Sequence, residues 1–176
     1  NMFRRLQWKI VVMFVLLVMA IMCIISGFMM LNIIHYYEKE FKLTMDSAFA
    51  GEFTGGITDV LKDGTAPDRE KALLDVISAY TAQFGLSGER TLSVLYGDTA
   101  EEIVSTGASI YGEKNREREK TPNIILAMSG KTGDKFQFAA DYMDYAYHID
   151  GGNRGGYIIY IRDSKHSVMT LMRNMM

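Results

Sequence analysis

From Ile10 to Ile34 the chain reads IVVMFVLLVMAIMCIISGFMMLNII, 25 positions without a charge. As a helix rising 1.5 Å per residue, the run is about 37 Å long. That is enough to cross a hydrocarbon core of about 30 Å with some tilt. Only Ser26 and Asn32 are strongly polar, and no 3.6-residue stripe separates them from an apolar side. The pattern predicts a transmembrane helix.

Beyond the run the apolar residues fall into a stripe. Phe41, Met45, Phe49 (or Ala48), Phe53, Ile57 and Leu61 (or Val60) recur at three- to four-residue steps, so a helix is expected from Tyr36 to Leu61. Gly51, Gly55 and Gly56 weaken it, each by about 1 kcal/mol relative to alanine. The far half of the stripe is expected to dock on its own domain. The near half, with Phe41 and Met45, is expected to meet a second copy of the chain. Ala20, Cys23 and Gly27 inside the run are small residues at helical spacing, which lets two helices approach closely.

Thr65 is expected to start another helix, with Pro67 in its first turn and Gly85 at its end. Ala72, Leu73, Val76, Ile77, Tyr80 and Phe84 line one face of it. The period then changes from 3.6 to 2. Strands are expected at Thr91–Tyr96 and Glu102–Thr106 around a Gly97-Asp98 turn, then at Asp134–Ala139, Met143–Asp150 and Tyr157–Arg162. Between them lie a charged connection at Ala108–Lys120 and a short helix from Thr121-Pro122 to Ser129. A last helix is capped by Asp163 or Ser164. The prediction is an α+β domain: an antiparallel sheet of about five strands backed by the long N-terminal helix. Such an arrangement is similar to the PAS-like or Cache-like sensor domains found outside bacterial membranes.

Charge gives the expected topology. Arg4, Arg5 and Lys9 precede the run, whereas Glu38, Lys39, Glu40 and Lys42 follow it with no net charge. Positive residues stay on the cytoplasmic side, so the N-terminus is expected inside and the domain outside. Trp8, Tyr36 and Tyr37 stand where interfacial aromatic belts are placed. The run exceeds the usual apolar region of a signal peptide, no A-x-A-like site closes it, and Met22 before Cys23 is too bulky for a lipoprotein site, so an uncleaved anchor is expected. The expected plan is residues 1–9 in the cytoplasm, 10–34 in the membrane, 35–163 as an extracytoplasmic domain, and 164–176 leading toward a second span.

With three of the 19 basic residues before the run, 16 remain against 21 acidic ones, about −5 for the external part. That argues against nucleic acid as a partner. The single cysteine lies inside the run, which excludes a disulfide outside it.

Catalytic motifs are wanting. Gly130-Lys131-Thr132 lacks the glycine of a phosphate loop, because Ile125 occupies its place. No G-x-S-x-G elbow occurs. Asp141, Asp144 and Asp150 form no EF-hand pattern, and His35, His148 and His166 have no neighbour at a metal-ligand spacing. No cofactor, metal or enzyme activity is expected of this chain. The stretch with binding character is Asp141–Tyr147. On a strand, Tyr145 and Tyr147 share a face with Met143, and Asp144 shares the other with Tyr142. Tyr142, Asp144, Tyr145 and Tyr147 are therefore candidate ligand-binding residues, the phenols as pocket walls and the carboxylate for an amine. The competing reading, and the favoured one, has the tyrosines filling the core and the aspartates solvated.

Four stretches bear a family resemblance: FRRLQWKIVVMFVLLVMAI, TPNIILAMSGKTGD, DYMDYAYHI and YIIYIRDSKHSVMTLM. In content and order they resemble the N-terminal part of membrane sensor histidine kinases of Gram-positive bacteria, the WalK-like regulators of cell-wall metabolism. The resemblance implies a sensor module cut just before its second span. A HAMP linker, a histidine-bearing dimerisation helix and an ATP-binding domain would follow. It also implies a homodimer in the cell membrane that answers an unknown small-molecule or protein stimulus. A membrane-anchored binding or adaptor domain without kinase output, or a chemoreceptor sensor, is the alternative.

Overall fold

The computed structural model describes residues 2–63, 66–107, 120–137, 140–165, 169–170 and 173–174. The first element is one unbroken helix, α1, Met2–Ala50. Its apolar run is exposed on every side, and it is long and apolar enough to cross a membrane. Past Tyr37 the same helix becomes a core element, with Glu38, Phe41, Met45, Ala48 and Phe49 buried. Gly51 breaks it. Helix α2, Glu52–Asp63, then carries the stripe onward through Phe53, Ile57 and Leu61, all buried.

Helix α3 spans Ala66–Ala79, and α4 is a single turn, Thr81–Phe84. The sequence predicted one helix to Phe84. Instead it splits at Tyr80, and Gly85 at φ 67° ends it in the left-handed conformation that glycine adopts without strain. The expected start at Thr65 lies outside the described residues, as do most of the charged connection and most of the last helix.

Four antiparallel strands follow: β1 Arg90–Tyr96, β2 Glu102–Ser105, β3 Met143–Ile149 and β4 Tyr157–Asp163, in the order β2-β1-β4-β3. Strand β4 lies between β1 and β3 and is covered on both faces. Ile159 and Ile161 join Leu92, Val94, Met143 and Tyr145 beneath α1–α4. Ile158 and Tyr160 join Leu95 and Ala146 beneath helix α5, Pro122–Met128. That double burial is why YIIYIR reads as an apolar run rather than an alternation.

The described residues therefore form helices, sheet and helix in three layers, with four strands where about five were expected. Of the strand expected at Asp134–Ala139, residues 134–137 form none, 138–139 lie outside the described residues, and only Gly133 just before it bridges Ala146. The reason lies on α5. The amide of Asn123 donates to the Lys135 carbonyl (2.8 Å) and accepts from the Lys135 N–H (3.0 Å), so a side chain supplies the pairing a neighbouring strand would give. Thr121 caps α5 as expected by accepting from Ile124 N–H, with Pro122 in the first turn.

Phe49, in the last turn of α1, stacks on Tyr147 (4.5 Å between centroids, 6° between planes) and on Tyr145 (5.4 Å, 10°). It also meets Phe84 and Phe53 edge-on. Truncating it to alanine removes the aromatic stacking between α1 and β3 and leaves a cavity. Thermal or denaturant unfolding of the detergent-solubilised chain should show a loss of about 3–5 kcal/mol.

Candidate functional site

Strand β3 separates Asp144 from Tyr145 and Tyr147, and Tyr142 lies just before it. Tyr145 and Tyr147 face α1. The Tyr145 hydroxyl donates to Asp46 Oδ1 at 2.7 Å, and burial, reinforced by that hydrogen bond, pushes the phenol's pKa far up. It is a fixed donor at physiological pH. Tyr142 lies at the edge, half-buried, with the Arg162 guanidinium 4.1 Å from its ring centre.

Asp144 faces α5 and is buried. Its carboxylate accepts from Thr121 Oγ1 (2.6 Å), Asn123 Nδ2 (2.6 Å) and Tyr160 OH (3.0 Å). The expectation of solvated aspartates is thus corrected at this position: three internal donors replace water, as burial of a carboxylate requires. The same three bonds and the burial leave little of the carboxylate for an amine ligand to reach. Asp141 and Asp150 are exposed. His148, on the same face as Asp144, is largely buried and bonds through Nε2 to Asp150 Oδ1 at 2.9 Å.

Phe41 and Met45 are 2% and 0% exposed within the chain itself. Their expected role as a surface for a second copy is therefore corrected. The stripe turns inward from its first residue, because the open end of the sheet reaches back along α1. Arg90 holds that end together. Its guanidinium lies 5.1 Å from the Phe41 ring centre, donates to Asp163 Oδ2 (2.8 Å) and donates to the Phe84 carbonyl (3.1 Å). One turn away, Glu38 of α1 and Lys165 just past β4 form a buried ion pair at 3.7 Å, and Lys165 Nζ also donates to the Ala140 carbonyl. Lys165 has φ 54°, and its carbonyl accepts from Met169 N–H at the start of the chain's last helical residues. Helix α1 and the residue just past β4 are thus tied by paired charges at this end of the sheet.

At the opposite end of the sheet lies a cleft of about 500 Å³ that sequence reasoning missed. Lys62, Arg69 and Arg154 line it with one carboxylate, Asp150, and the rings of Tyr96 and Tyr157 form its wall. The turn Gly151–Gly156 makes one lip, and four of its glycines have positive φ. Gly97, just past β1, packs against that turn. A Cβ there would stand 2.1 Å from the Gly155 carbonyl oxygen, so only glycine lets the two turns close on each other. Tyr96 is the centre of the wall. Its hydroxyl accepts from Arg69 Nη2 at 2.9 Å, and the Arg154 guanidinium lies over its ring at 3.9 Å. Arg154 is shared with Asp98 (3.2 Å) and Glu101 (3.4 Å), whereas Arg69 Nε is buried without a hydrogen-bond partner among the described residues. The sequence signal was the GGNRGG turn, which marks flexibility but not the helix that faces it.

No protein-family model and no curated protein matches the chain.

Two substitutions test the roles assigned to β3. Asp144→Ala removes three buried hydrogen bonds to the carboxylate and should destabilise the chain by about 3 kcal/mol or more, with Asp144→Asn in between. Tyr145→Phe should cost only about 1 kcal/mol. Urea titrations of the three variants in the same detergent would check the order.

Proposed function

We propose that this chain is the sensing and transmembrane signalling module of a bacterial sensor histidine kinase. In this reading, residues 35–163 form a PAS/Cache-like domain outside the cell membrane, residues 10–34 cross it, and residues 1–9 lie in the cytoplasm. The observation that carries the reading is the continuity of α1. One helix includes both the apolar run and the residues at the heart of the domain core, Phe41, Met45 and Phe49. A receptor needs an element whose position both sites bias. A helix packed against the sheet and continued through the bilayer meets that need without any further part. The Glu38–Lys165 pair supports the same reading, because it joins the incoming helix to the outgoing segment. The resemblance of four stretches to sensor histidine kinases supplies the output, a cytoplasmic kinase of the longer protein acting across a homodimer.

With Phe41 and Met45 covered, pairing of two copies falls to the exposed run, where Ala20, Cys23 and Gly27 leave room for close approach. Oxidative crosslinking in membranes should join two chains through Cys23, and a cysteine placed at Phe41 should not crosslink. Gly88 is exposed and its Cβ would meet nothing. A Gly88→Cys variant should therefore react with an impermeant maleimide added to intact cells. Labelling only after the cells are opened would overturn the topology. Vesicles bearing the full-length protein should transfer phosphate from ATP to a histidine, seen as acid-labile label. Correct topology without such label would leave the anchored binding domain as the function.

A further inference from the structure

The cleft between α2, α3 and the two glycine turns has the wrong sign for its surroundings. The part of the chain beyond the apolar run carries about −5 overall. Yet three cations and one carboxylate line this hollow, and Asp150 is already engaged by His148. Neither Lys62 nor Arg69 has a carboxylate partner among the described residues. Arg69 Nε is also buried with no hydrogen-bond partner among the described residues, and a buried donor without an acceptor costs free energy.

We propose that this cleft binds a small soluble oxyanion, a carboxylate or a phosphate, with Arg69 as the principal contact. A guanidinium offers parallel N–H donors that match the two oxygens of either group. Arg69 Nη2 is steadied by Tyr96 OH, so the planar head is held in one orientation before the ligand arrives. Lys62 adds an exposed charge at the rim, while Arg154, flat on Tyr96 and already shared with Asp98 and Glu101, closes the wall rather than adding net charge. Tyr96 and Tyr157 give an apolar wall for the body of the ligand. A soluble source is favoured over a lipid headgroup by position. The 16 helical residues from His35 to Ala50 carry the chain about 24 Å from the apolar run, and the cleft lies at the far end of the sheet. Under the proposed receptor function the ligand would be the stimulus, but binding is independent of any kinase output and is measured on its own.

The test is calorimetric titration of the detergent-solubilised chain at low ionic strength, with inorganic phosphate in one arm and succinate in the other. At least one arm should give saturable binding that weakens as sodium chloride is raised. Arg69→Gln should weaken it by about tenfold or more, and Arg69→Lys by less. Lys131→Gln, an exposed lysine on the other side of the sheet, should leave it unchanged. Circular dichroism of each variant confirms that it is folded. Saturable binding that survives Arg69→Gln, or no binding of either anion to the unaltered chain, would overturn the proposal. Kinase output without anion binding would overturn the site and spare the receptor.

Discussion

The ring of Phe49 is the contact on which the architecture turns. A helix whose first part is apolar on all sides has only its last turns in which to specify how a domain sits on it. Phe49 closes those turns, stacked on two tyrosines of β3 and met edge-on by α2 and α4. Offset stacking of this kind fixes orientation as well as distance, which simple burial does not. Gly51 follows at once and frees α2 to change direction, so that Phe53, Ile57 and Leu61 re-enter the same core.

The other face of the sheet is organised by polarity instead. Asp144 draws together the cap of α5, the side chain that replaces a fifth strand, and the central strand, through Thr121, Asn123 and Tyr160. Burial and the nearby Asp144 charge push the Tyr160 phenol's pKa well up, which keeps it a donor. One face of β3 thus holds the domain to α1 by aromatic area, and the other holds α5 by a satisfied carboxylate.

How far the sequence disclosed this depended on whether a feature was periodic. The apolar run, the stripe from Phe41 to Leu61 and the four strands all follow from spacing, and each lies within a few residues of its expected place. The failures share a cause. Asp134–Ala139 has strand-like residues, but the Lys135 backbone is claimed by Asn123, a pairing without sequence period. Asp144 looked solvated because nothing local shows that three donors from distant segments converge on it. Phe41 and Met45 looked free because the sheet's return along α1 is a tertiary fact. The cleft joins Lys62 and Arg69 to a turn more than 80 residues later, and charge composition averages such a patch away.

Between Phe28 and Ala50 the helix contains neither glycine nor proline, and its break comes only at Gly51, beyond Phe49. The compliant joint therefore sits on the far side of the load. Had the break fallen between Phe49 and the apolar run, any rearrangement of the sheet would dissipate as bending before it reached Ile34. As built, a displacement applied to the Phe49 ring has no softer route than the axis of the helix. Under the receptor function proposed for the chain, α1 would act as a pushrod rather than a tether.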